Sequence, residues 1–141
     1  MTDTTLLCLV GATGTGKTAA ALALAGALGG GVVNFDSRQV YAGLGVGTAQ
    51  PTAAERAACP HALYGYLPLD VPVRAGAFAG EITAQAQAYR KQGLAPILVG
   101  GTGLYLKSLL DGLAPIPDID PSVREEVVAE CRSHGSQVLH S

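Results

Sequence analysis

Gly11, Gly16, Lys17 and Thr18 stand at the spacing Gly-x-x-x-x-Gly-Lys-Thr within GATGTGKT, a set of residue types suited to holding phosphate. Glycines let backbone amides turn inward without steric strain, a helix N-terminus adds partial positive charge, and lysine neutralises a phosphate oxygen directly. A threonine hydroxyl suits a magnesium ion bridging the same phosphates. The candidate phosphate-binding residues are therefore Gly11, Ala12, Thr13, Gly14, Thr15, Gly16, Lys17 and Thr18, and Thr18 is also the candidate ligand of Mg2+. A tight turn with an incidental lysine is the other reading of these letters.

Such a loop identifies phosphate without identifying its owner. Most proteins that carry it are ATP or GTP hydrolases or kinases. A nucleotide hydrolase usually has an apolar strand ending in a magnesium-binding aspartate, whereas here APILV, Ala95–Val99, runs into GGTGLY with no carboxylate. The carboxylate comes instead after VVNF, at Asp36, the carboxyl end of a strand, where open α/β sheets place their ligands. Asp36 is a candidate general base facing the phosphates, or else a cap on the next turn through its own side chain. Ser37, Arg38 and Gln39 follow it as a row of donors and acceptors or as a solvated polar loop.

The elements that must position these groups follow from pattern. LLCLV, Leu6–Val10, is a short apolar run ended by glycine, as a buried strand of a parallel sheet would be. From Lys17 the alanine- and leucine-rich stretch predicts a helix that stops at Gly29, Gly30 and Gly31. Val32–Phe35 and Ala95–Val99 read as the second and third strands. Between them Phe78, Ile82 and Tyr89 lie near helical spacing in AFAGEITAQAQAYRKQG, which closes with basic residues and Gly93. TGLYLKSLLDG predicts a helix closed by Gly112, and Asp120 with Pro121 opens another across SVREEVVAECRSHG. Strands alternating with helices predict an α/β fold with a parallel sheet. LAPIPDIDPS is a proline-rich connector that can mark the edge of a subdomain.

Composition bounds what this frame can be. With 141 residues the chain is long enough for one compact domain or part of a larger one. It has no apolar run long enough to span a membrane, and its acidic start followed by the glycine loop does not read as a secretion signal, so a cytoplasmic location is expected. Cys8, Cys59 and Cys131 are scattered without metal or disulfide-exchange spacing and read as free thiols. A net charge of −2 gives no global attraction to nucleic acid, so any such contact is expected to be local.

Taken together, GATGTGKT, FDSRQVYAGLGVGTAQPT, PHALYGYL, PILVGGTGLYLKSLLDGL and DPSVREEV resemble, in order and spacing, the tRNA dimethylallyltransferase family, also called tRNA isopentenyltransferases. The resemblance implies a parallel sheet of the P-loop NTPase kind with flanking helices, with residues 1–115 as the catalytic core and 116–141 as the start of a helical tRNA-binding insertion that breaks off before it is complete. It implies that the loop holds the diphosphate of dimethylallyl diphosphate, with Mg2+ sharing the charge. The prenyl unit would pass to the N6 amine of the adenosine immediately 3′ of the anticodon. By carry-over of the motif, Asp36 is the base, Asp36, Ser37, Arg38, Gln39, Thr102 and Arg124 contact the tRNA anticodon arm, and a monomer is expected. Gln39 is suited to reading an adenine edge, and the adenine has to leave its stack to reach such a site.

The residues' other readings stay beside this one. Thr102 can simply cap a helix after two glycines, Arg124 can be a solvated first-turn residue, and Lys107 a surface lysine. His61 reads as a satisfied structural histidine, and Tyr41 and Tyr105 as core or channel wall. Gln50 stands where the family often has lysine, and family members are considerably longer. The alternatives are a small-molecule kinase using ATP, which would normally add an arginine-rich lid, an adenylate isopentenyltransferase acting on AMP, and a binding module with phosphate affinity alone.

Overall fold

The structure is a computed structural model and describes residues 5–114 and 119–140. Short apolar runs supply β1 (Leu7–Val10), β2 (Gly30–Asn34) and β4 (Ala95–Gly100), and the two-residue β3 (His61–Ala62) joins them in a parallel sheet of spatial order β1-β4-β2-β3. In chain order they are linked by helices α1 (Lys17–Leu28), α2 (Ala53–Ala58) and α3 (Ala75–Lys91), and β4 leads into α4 (Gly103–Asp111). Helix α5 (Pro121–His134) and a short 3-10 turn at Val138–His140 follow. The expected α/β fold, a parallel sheet of the P-loop kind with flanking helices, is what forms.

Side chains alternate across a strand, and here both faces are covered. Val33, Phe35 and Leu98 join Phe78, Ile82 and Tyr89 of α3 and Tyr105 of α4 in one apolar cluster. Val32, Ile97 and Val99 join Ala21 and Ala25 of α1 and Tyr64 in the other. This is why the central strands read as continuous apolar runs instead of alternating ones. Tyr105 packs edge-on against Phe78, with ring centroids 5.3 Å apart.

Several boundaries differ from the sequence expectation. Helix α1 ends at Leu28 under Gly29, whose left-handed φ of 62° makes it the stop. Gly30 and Gly31 belong to β2, where a Cβ on Gly30 would lie 2.7 Å from the Ala95 carbonyl oxygen and one on Gly31 2.5 Å from the Tyr89 ring. These glycines permit close packing of strand and helix rather than ending α1. The strand expected as the third is the fourth, because the two-residue β3 intervenes. Helix α3 begins at Ala75, and α5 is capped as read, with the Asp120 carboxylate accepting from the Ser122 amide at 2.9 Å. The boundary expected at residues 115 and 116 lies outside the described residues. Among the described residues no helix is long and apolar enough to cross a membrane.

Candidate active site

The phosphate loop joins the end of β1 to α1. Gly16 is the N-cap of α1 at φ 83° and offers no side chain, so no side-chain cap occupies the first-turn amides, and the first turn carries no acidic residue. A helix start in this condition favours an anion through both its amides and its dipole. Thr15 donates to the Ala12 carbonyl at 2.8 Å, and the Lys17 ammonium donates to the carbonyls of Gly11 at 2.8 Å and Ala12 at 2.7 Å. Lys17 thus lies folded back along its own loop. Its ammonium is held by neutral acceptors that a phosphate oxygen can replace with a stronger, charged one.

Asp36 leaves β2 in a tight side-chain turn in which its Oδ1 accepts from the Arg38 amide at 2.9 Å. The turn-capping role and a role facing the phosphates turn out to be compatible. The same carboxyl group looks across to the loop at Gly101, where an added Cβ would lie 3.0 Å from the Gly11 carbonyl oxygen and 3.6 Å from Asp36 Oδ2. Gly101 is the point at which the start of the phosphate loop and the carboxylate come together, and a side chain there would press on the Gly11 carbonyl.

Thr102 sits at the N-cap of α4, yet its hydroxyl makes no cap bond. It accepts from the Ser37 amide at 3.2 Å and donates to the Ser37 hydroxyl at 3.3 Å. Tyr105, one turn further on, is held above the ordinary phenol range by burial and by the nearby charges of Tyr41 and Asp36, against a smaller opposite effect of hydrogen bonding to Ser37. It stays protonated and belongs to the apolar cluster behind the site, not to the cleft wall. Gly11, Ala12, Thr13, Asp36, Ser37, Arg38, Gly101 and Thr102 line one open cleft of about 410 Å³. Three separate sequence segments therefore meet at the carboxyl ends of β1, β2 and β4.

The other candidate residues are placed elsewhere. Gln39 turns away from this cleft and donates to the carbonyls of Thr48 at 2.9 Å and Ala49 at 3.0 Å, bracing the glycine-rich loop 43–50. Thr18 opens onto a second cleft, shared with Val46, Gln50, Pro51, Thr52, Glu55 and Arg56. Arg124 lies exposed on α5, which packs on the Val138–His140 turn, and the described residues do not bring it to the cleft. Lys107 is exposed on α4. His61 is partly buried with Nδ1 2.8 Å from the Cys59 carbonyl oxygen, in keeping with a structural histidine.

Two features escaped the sequence reading. Arg56 donates to Gln50 Oε1 at 3.2 Å and to the Pro51 carbonyl at 3.1 Å, with its guanidinium 5.6 Å from the Tyr64 ring centroid. A positive charge therefore stands beside Gln50, the position expected to lack one. Asn34 is wholly buried next to Asp36, and a polar residue inside an apolar strand was the available signal.

Comparison with known proteins bears on what this cleft belongs to. A family model described as IPP transferase matches residues 39–141. The chain belongs to the IPP transferase family. It is 50% identical to the tRNA dimethylallyltransferase of Nitratidesulfovibrio vulgaris over 96% of its own length and 45% of that relative's. With that of Desulfovibrio desulfuricans it shares 52% identity over 96% of its length and 42% of the relative's. Among solved structures it is similar to the full-length tRNA isopentenylpyrophosphate transferase of Bacillus halodurans, with a TM-score of 0.74 and 35% identity, covering 96% of this chain and 45% of that one. A eukaryotic dimethylallyltransferase acting on tRNA gives a TM-score of 0.75 at 26% identity, covering 85% and 31%. This IPP transferase chain thus spans a little under half the length of the curated relatives it matches.

Proposed function

We propose that this chain is the diphosphate-binding and base-bearing part of an enzyme that transfers a dimethylallyl group from dimethylallyl diphosphate to N6 of the adenosine 3′ to a tRNA anticodon, acting in the cytoplasm. The observation that carries this reading is the single cleft lined by both the phosphate loop and Asp36. The names of the relatives support the choice of donor and acceptor.

In this mechanism the loop amides and Lys17 hold the diphosphate, and they bind more tightly as negative charge grows on the departing oxygen. The bond from the prenyl C1 to oxygen breaks, and its electron pair leaves with diphosphate. The N6 lone pair forms the new bond to C1, and the proton from N6 passes to the Asp36 carboxylate. An adenine N6 is a weak nucleophile because its lone pair is delocalised into the ring, so a positioned acceptor for its proton lowers the barrier. Ser37, Arg38 and Thr102 line the same cleft and would orient the extruded base and its backbone. Arg124 would meet the RNA further out, on the anticodon arm.

One donor is in place for a magnesium ion: Thr18, in the first turn of α1 directly after Lys17, offers a hydroxyl, although it opens onto the neighbouring cleft. Thr18 would help to hold Mg2+, and the ion would supply further charge neutralisation to the leaving group.

The test is calorimetric titration of the protein with dimethylallyl diphosphate and, separately, ATP, both with magnesium, followed by transfer assays on the full-length enzyme. Tighter binding of the prenyl diphosphate and a loss of transfer in Asp36→Asn of about 10²-fold or more are expected. Preference for ATP would return the chain to a kinase, and normal transfer by Asp36→Asn would remove Asp36 as the base.

A further inference from the structure

Asn34 occupies the last position of β2 with none of its surface exposed. A carboxamide buried this deeply has to find partners for two donors and an acceptor, or the fold bears the cost of desolvating them. All three are found, and two of them lie on one residue. Asn34 Oδ1 accepts from the Asp36 amide at 2.8 Å, and Nδ2 donates to the Asp36 carbonyl at 3.1 Å and to the Leu63 carbonyl at 2.8 Å.

The side chain therefore grips both backbone polar groups of Asp36. It also ties them to the segment just after β3, where Leu63 has a left-handed φ of 64°, a conformation that a β-carbon disfavours. Asn34 links the exits of two neighbouring strands, and Asp36 is clamped in the middle. Side-chain torsions give the Asp36 carboxyl some reach, but the Arg38 amide already restrains Oδ1. What remains to set the carboxyl's place opposite Gly11 and Gly101 is the backbone of Asp36 itself.

We propose that Asn34 is a positioning residue for the transfer reaction: its carboxamide fixes the Asp36 backbone so that the carboxylate stays in register with the phosphate loop. This rests on the reading of Asp36 as the general base. An apolar residue would fill the strand as Val32 does on the same face, and it would leave the part-buried Asp36 amide and the Asp36 and Leu63 carbonyls without these partners. A misplacement of about 1 Å at a catalytic group lowers a rate by about 10²-fold.

The experiment compares Asn34→Val, Asn34→Ser and Asp36→Asn in the full-length enzyme, measuring kcat, the KM for dimethylallyl diphosphate and thermal stability. The serine hydroxyl can accept from the Asp36 amide and donate to one of the two carbonyls, whereas valine can do neither. Asn34→Val is expected to lower kcat by about 10–100-fold with KM within about twofold, and Asn34→Ser to fall between it and the wild type. Loss of thermal stability with kcat per folded molecule unchanged, or a rise in KM with kcat intact, would overturn the inference. Should Asn34→Val not fold, Asn34→Ser decides alone, since an undiminished kcat there is equally fatal. An inactive Asp36→Asn beside an unimpaired Asn34 variant would sink only the positioning role. Full activity in Asp36→Asn would sink the base assignment and the positioning role with it.

Discussion

The Thr102 hydroxyl receives a hydrogen bond from the Ser37 amide and returns one to the Ser37 hydroxyl, across 65 residues of chain. One side chain thereby fastens the loop after β4 to the loop after β2. Because Asp36 precedes Ser37 and Gly101 precedes Thr102, this pair of bonds also closes the cleft wall beside the carboxylate. Thr102 gives up capping α4 to do so, and the hydroxyl is used for tertiary contact where local structure offered it a simpler role.

Thr102→Val removes both bonds at nearly constant shape and leaves the half-buried Ser37 amide unpaired. The expected loss of stability is about 1–2 kcal/mol, with a fall in transfer rate in the full-length enzyme. Thr102→Ser keeps the hydroxyl and should retain most of both. Urea denaturation read beside the transfer assay checks the pair, and equal behaviour of valine and serine would show that the methyl, not the hydroxyl, matters.

Lys17→Ala should separate binding from folding. Among the described residues its ammonium bonds only to carbonyls of its own loop, so little stability is at stake, while a charge-assisted contact to phosphate is lost. Inorganic pyrophosphate with magnesium should bind about 10–100-fold more weakly, with the thermal midpoint nearly unchanged. Calorimetry on both proteins measures this, and an undiminished affinity would mean that the loop's anion is held without its lysine.

Much of this frame was legible in the sequence because local chemistry and tertiary role coincide there. The strand, glycine loop and α1 are announced by Leu6–Val10 and GATGTGKT, and α5 by Asp120 and Pro121. Helix α2 also carries a local signature, a capping box in which Thr52 and Glu55 satisfy each other's amides, but its six residues hold no apolar stripe to draw notice. Strand β3, with two residues, has no periodicity to read. Gly30 and Gly31 were misleading for a physical reason: glycine marks a helix stop and a close approach with the same letter, and only the Tyr89 ring and the Ala95 carbonyl distinguish them. The Leu63 partner of Asn34, 29 residues on, is set by the register of β2 on β3, and the Thr48 and Ala49 partners of Gln39 by the path of the loop between them, neither of which a local pattern encodes.

Glycine chemistry gives a prediction with opposite signs. A Cβ at Gly100 would stand 2.7 Å from the Phe35 ring and 2.8 Å from its backbone carbon, so Gly100→Ala has to push apart β4 and the residue that leads into Asp36. A loss of about 1–3 kcal/mol is expected. Gly26 lies inside α1 with nothing within 4 Å of the same added carbon, and Gly26→Ala should stabilise by about 0.5–1 kcal/mol through helix propensity. Thermal denaturation of the two variants tests the contrast, and destabilisation of both would contradict it.

Alkaline stability is tied to Tyr89, which is 5% exposed beneath β2. Burial first, and the nearby Cys59 charge second, push its phenol up to about 12, above the ordinary value of about 10. Below the unfolded value the phenol is protonated in both states and its contribution is fully present. Between about pH 10 and 12 the unfolded chain gives up this proton while the folded chain keeps it, so stability falls by up to about 1.4 kcal/mol per pH unit. Above the folded value the loss is complete. Tyr89→Phe has no proton to lose and should flatten that part of the curve, although Tyr64, also raised chiefly by burial, keeps some slope. Urea midpoints at pH 8 and across the alkaline range would measure the difference, and identical slopes in the two proteins would show that Tyr89 is not what fails first.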